Sequence, residues 1–200
     1  MTMKKIAIAL MCTILATGAA MAQKQFTFGP KIGVDYTHYW GKDVEHGGLL
    51  NYQAGLFMEY RFNDKVSIAP EVVFAAQGGK YKWLDNAIEI STTAHMNYIN
   101  IPVMLKYYVA PSLSIDFGPQ LGVNVYHKQT DKWTVGDKDF KDTYEVNGVK
   151  SIDFGIGLGL TYNIANDVFV QGRYTMGMTN AFKYGDAKNG NAQIAIGYRF

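Results

Sequence analysis

Four histidines, His38, His46, His95 and His127, are the side chains best placed by type for general-base work near neutral pH. Ser91, Thr92 and Thr93 lie close to His95 in sequence. A histidine beside a hydroxyl and an acid is the arrangement of acyl transfer and lipid deacylation. No G-x-S-x-G elbow accompanies them, nor any triad or metal motif of fixed spacing, so no catalytic or metal-binding residue is assigned and an enzyme is not expected. Gly155, Gly157 and Gly159 resemble a fragment of a nucleotide-binding loop, but they interleave with Ile156, Leu158 and Leu160, the pattern of a strand. No cofactor follows.

The remaining chemistry belongs to ten charged residues: Lys31, Asp35, Glu59, Arg61, Glu71, Lys106, Asp116, Asp153, Arg173 and Arg199. Five are cationic and five anionic, and each falls on the polar side of an alternating segment.

Before those segments comes a leader. Lys4 and Lys5 precede an apolar run from Ile6 to Leu15, and Ala20-Met21-Ala22 closes an A-x-A cleavage site, so residues 1–22 read as a signal peptide cut after Ala22. The run is shorter than the ~17 residues that a spanning helix needs at minimum. Cys12 follows Met11 instead of a small residue, which is not the lipoprotein pattern, and the chain from Gln23 to Phe200 then holds no cysteine. Without Lys4 and Lys5, the 19 basic residues fall level with the 17 acidic ones, so no nucleic-acid partner is implied. No linker or low-complexity tract divides residues 23–200, which form one domain.

That domain alternates. Phe28, Pro30, Ile32, Val34 and Tyr36 face away from Gly29, Lys31, Gly33, Asp35 and Thr37. The same period of two recurs over residues 50–62, 66–77, 99–108, 113–125, 151–162, 168–178 and 192–200, with Phe57 interrupting one polar face. No residue on the apolar side of any segment is charged, although 18% of the chain is. A Lys or Arg facing lipid at the bilayer midplane costs ~2–4 kcal/mol, which gives that exclusion an energetic cause. The expected fold is therefore an all-β, eight-stranded, antiparallel up-and-down transmembrane β-barrel. A soluble lipocalin-like cup alternates too, but it would line its interior with large apolar side chains, whereas glycine and alanine dominate much of the polar face here. Met176 and Met178 read as lipid-facing packing.

Connections at about 39–49, 78–95, 127–150 and 179–190 are long and the others short, the asymmetry of outer-membrane barrels. Long loops are expected outside the cell, with both termini periplasmic. Tyr36, Tyr39 and Trp40 at one end, and Tyr60, Phe62, Tyr107, Tyr162, Tyr198 and Phe200 at the other, read as interfacial girdles. An eight-stranded barrel is only wide enough for side chains to fill it, so the ten charges should pair with one another. A narrow or gated small-solute channel, with Arg61, Lys106 or Arg173 selecting anions, is the alternative.

The run from Tyr98 to Tyr108 and the Phe117-Gly118-Pro119-Gln120-Leu121-Gly122 run resemble hallmarks of the PorT-like outer-membrane β-barrel family. Gly29-Pro30-Lys31-Ile32-Gly33, Arg173-Tyr174-Thr175-Met176-Gly177 and Gly197-Tyr198-Arg199-Phe200 add to the likeness, which spans the mature chain. The resemblance implies an outer-membrane location, with Phe200 as the signal read by the barrel-assembly machinery. It implies no activity. The reading is a monomeric structural or surface-contact barrel whose loops, chiefly 127–150 with Trp133, Phe140 and Tyr144, meet lipopolysaccharide or a partner protein.

Overall fold

The computed structural model describes residues 25–41, 47–85, 88–135, 138–145, 148–183 and 186–200. The expected signal peptide, with its expected cleavage site at Ala22, and His46 lie outside them.

The strands are β1 (Phe26–Trp40), β2 (Leu49–Arg61), β3 (Val66–Asp85), β4 (Ile88–Ala110), β5 (Leu113–Val135), β6 (Lys138–Glu145), β7 (Ile152–Asn163), β8 (Val168–Asn180) and β9 (Lys188–Tyr198). Neighbours pair antiparallel from β1 to β5, β5 continues to β7, and β9 returns to β1 from Lys31↔Gly197 to Trp40↔Lys188. The ring thus has eight strands. The ninth, β6, pairs with the far stretch of β5.

Exposure is the reverse of a water-soluble protein. Leu56, Ile32 and Ile194 are each at least 60% exposed, whereas Lys31, Glu71 and Arg173 are no more than 4% exposed. Charged side chains are rarely buried in soluble folds, and an apolar exterior around a polar interior is the partition that lipid imposes on a barrel.

Short turns gather at one end. Asn63 Oδ1 accepts hydrogen bonds from the Lys65 and Val66 amides, both 2.9 Å, a side-chain turn that reverses β2 into β3. Long connections gather at the other, hereafter the hairpin end, and two of them are not the loops expected. Residues 78–95 continue the β3–β4 ladder from Gly78↔His95 to Asp85↔Ile88, and residues 128–145 form the β5–β6 hairpin. β6 is exposed throughout, and no apolar alternation in Lys138–Glu145 marks it as a strand. Gly78, with φ 139°, turns β3 where the extension begins.

A β-bulge adjusts β5 at the same level. Tyr98 pairs with Asn124 but Asn97 with Tyr126, so Val125 is unpaired and the phase flips. Above it, His127, Gln129 and Asp131 lie opposite Met96, Ala94 and Thr92, on the face that Met96 and Ala94 turn inward.

Candidate functional site

Because β-strand side chains alternate, the ring gathers the inward set from all eight strands into one volume. Nine of the ten charged residues singled out from the sequence are buried there. The tenth, Arg61, sits at the short-turn rim with its side chain 34% exposed.

Three carboxylates organise the cations. Glu71 accepts from Lys31 Nζ at 2.6 Å and from both Arg173 terminal nitrogens, at 2.6 and 3.1 Å, a bidentate pairing. Lys31 also donates to Gln171 Oε1 at 2.9 Å. Gln171 in turn donates to Asp116 at 3.2 Å, where Ser114 and Thr161 donate at 2.6 and 2.5 Å. Lys106 Nζ lies 3.8 Å from Asp116 and 3.7 Å from Glu59. Glu59 accepts from Ser67 at 2.7 Å and from Tyr108, with Arg61 and Arg199 at 3.6 and 3.8 Å. The guanidiniums also rest on rings, Arg61 over Tyr108 at 4.1 Å and Arg199 over Phe169 at 4.5 Å. Gln171 and Lys106 therefore join the three carboxylates into one network.

One-to-one pairing of all ten charges is not what results. All five cations gather on Glu59, Glu71 and Asp116. Asp153 is held by neutral donors, Thr179 at 2.8 Å and Asn189 at 3.1 Å, and Asp35 has no ion-pair partner among the described residues. Both belong to the half nearer the hairpin end: Asp35 lies four residues beyond Lys31 along β1, and Asp153 follows the first residue of β7. Shear between strands decides which inward residues share a level, and sequence alternation carries no information about it.

Toward the hairpin end the interior holds an apolar cluster. Tyr39, Ala94, Met96, Tyr98 and Ala181 form a buried cluster, with Phe182 against Tyr39 at a ring separation of 5.6 Å. Tyr39 thus belongs to this buried cluster and not to the girdle assigned to it. Its parity along β1 is that of Asp35 and Thr37, which settles its direction. Tyr36, Tyr60, Phe62, Tyr107, Tyr162, Tyr198 and Phe200 do face outward, and Phe200 packs on Phe28 and Tyr198 at 5.6 and 5.2 Å.

The three histidines among the described residues are not brought together. His38 stacks on Tyr174 outside the barrel, with Nε2 3.4 Å from its hydroxyl. His95 and His127 stand on adjacent strands with opposite phase: Met96, not His95, is the partner of His127. His127 Nδ1 contacts Asn124 Oδ1 at 2.9 Å. Thr92 gives its hydroxyl to Asp131 at 2.7 Å, a pair that sequence reasoning did not foresee because the bulge at Val125 sets it.

Against this geometry, the family model described as outer membrane protein beta-barrel domain matches residues 21–183. The chain belongs to the outer membrane protein beta-barrel domain family. No curated protein matches it in sequence. Among solved structures, this family member resembles the attachment invasion locus protein Ail of Yersinia pestis, at 13% identity over 88% of this chain and 99% of Ail, with a TM-score of 0.51. Neisserial surface protein A matches at 11% identity over 86% of this chain and 97% of its own, TM-score 0.47. CarO of Acinetobacter baumannii matches at 14% over 84% and 97%, TM-score 0.42. Identities this low speak to fold alone. An outer membrane protein beta-barrel domain belongs in the bacterial outer membrane, and the apolar exterior described above suits it to that place.

Proposed function

We propose that this barrel has a structural and surface-contact role in the outer membrane, with its interior plugged and its hairpin end facing outside the cell. The single observation that supports the proposal is the pair of buried clusters, the Glu59–Glu71–Asp116 network toward the short-turn end and the Tyr39–Met96–Tyr98 group toward the other. A solute would have to break buried ion pairs and part an apolar cluster.

The surface role rests on the order of the hairpins. Asp131 ties three strands, accepting from Thr92 on β4 and from Tyr144 on β6 at 2.8 Å, while Trp133 stacks on Phe140 at 5.8 Å. Such hairpins offer a persistent surface to lipopolysaccharide or a partner protein. Residues 1–22 serve as the export leader in this reading, and Phe200, exposed beside Phe28, as the assembly signal. The PorT-like resemblance is the finer family assignment that accompanies it.

Planar bilayer recording of the refolded protein tests the plug. The expected record is flat, and steady single-channel steps would replace this reading with the channel.

A further inference from the structure

Asp35 stands apart from every other buried charge. It is 0% exposed, and neither carboxylate oxygen receives a hydrogen bond. Asn191 lies beside it without completing one, and Asn191 Oδ1 is itself buried without a donor. The cation nearest along β1, Lys31, is committed to Glu71 and Gln171.

The surroundings of Asp35 are neutral and rich in oxygen. Its register partners are Asn51 on β2 and Gln193 on β9. Their amides bond to other neutral groups: Asn51 donates to Thr37 and Gln53 donates to Gln193, both at 2.7 Å. A carboxylate withdrawn from water takes up either a proton or a cation, and among the described residues the cation that acts on Asp35 is Lys31, already held by Glu71. Amide, hydroxyl and carboxylate oxygens are the donors that small hard cations select.

We infer that Asp35 is the anchoring ligand of an interior site for a small hard cation, completed by amide oxygens of the surrounding Asn and Gln belt. The site goes beyond the structural role proposed above and needs no transport. The cluster of Tyr39, Met96 and Tyr98 and the ion pairs on Glu71 separate it from both ends, so the cation is enclosed when the barrel closes.

The test refolds the full mature chain in detergent after chelation, with calcium, magnesium or sodium chloride added before folding, against choline chloride at equal ionic strength. The reading is the temperature at which the fast, heat-modifiable gel band is lost. One of the three cations should raise that temperature by several degrees over choline in the wild type and in Asp153→Asn, and should leave Asp35→Asn unmoved. The same cation, if divalent, should remain at about one per chain after gel filtration of the wild type, a measurement that stands even if Asp35→Asn does not fold. A folded band indifferent to all three cations, or an unchanged response in Asp35→Asn, overturns the site. Absence of any fast band would count instead against the barrel reading itself.

Discussion

Phe57 and Phe169 meet edge to face inside the barrel, with ring centroids 5.0 Å apart and planes at 88°. They form an apolar seat within a polar interior, since Arg199 lies over Phe169 and Lys106 Nζ is 5.7 Å from the same ring. Gly197 keeps the space open, because a Cβ there would enter the Phe169 ring. Phe169→Ala should therefore lower stability by about 3–5 kcal/mol, and Phe57→Leu by less than about 1.5 kcal/mol. Urea unfolding in detergent measures both, and equal losses would deny the pair its central place.

Glu71 holds two buried cations at once. Glu71→Gln leaves Lys31 and Arg173 without their charge partner, a change expected to cost about 3–5 kcal/mol. Adding Arg173→Gln should restore part of the loss. A double-mutant cycle on unfolding free energies reads the coupling, and strict additivity would show that the two side chains do not act as a pair.

The lipid-facing side allows a sharper contrast. Leu56 lies in the middle of β2 and faces out, so Leu56→Lys should cost ~2–4 kcal/mol for folding into lipid vesicles. Phe140→Lys, on an exposed hairpin strand, should alter stability by less than about 1 kcal/mol. Equal penalties would contradict the division between membrane-embedded ring and projecting hairpin.

The ring was legible because one physical rule, no charge toward lipid, acts on every spanning strand. The rule falls silent where lipid ends. Nothing in Lys138–Glu145 alternates between apolar and polar, so β6 reads as a loop although it pairs over its whole length. The Val125 bulge needs no glycine and leaves no mark in the sequence, yet it decides that Asp131 meets Thr92. The interior charges could be named from parity alone, but not their partners. Asp35 and Glu71 look alike in sequence, and only the stagger of the strands gives cations to one and not to the other.

Gly78 offers a local test of the hairpin boundary. Its φ of 139° is strained for any residue with a Cβ, and the added methyl would press on the Ala94 carbonyl. Gly78→Ala should cost more than about 1 kcal/mol, confined to the β3–β4 extension. Hydrogen exchange should then quicken across residues 79–94 while amides of the ring keep their protection. Uniform quickening would mean that hairpin and ring open together.

The pairing of β1 with β9 fixes an order of events. The first strand of the ring finds its second neighbour only when the last strand joins, so every intermediate before that has an open edge. The contact that completes the ring spans nearly the whole chain, and its loop-closure entropy must be met before Arg173 can be held at Glu71 and Arg199 at Glu59. Closure and filling thus become a single late step, and a chain lacking β9 should not form a smaller barrel but none.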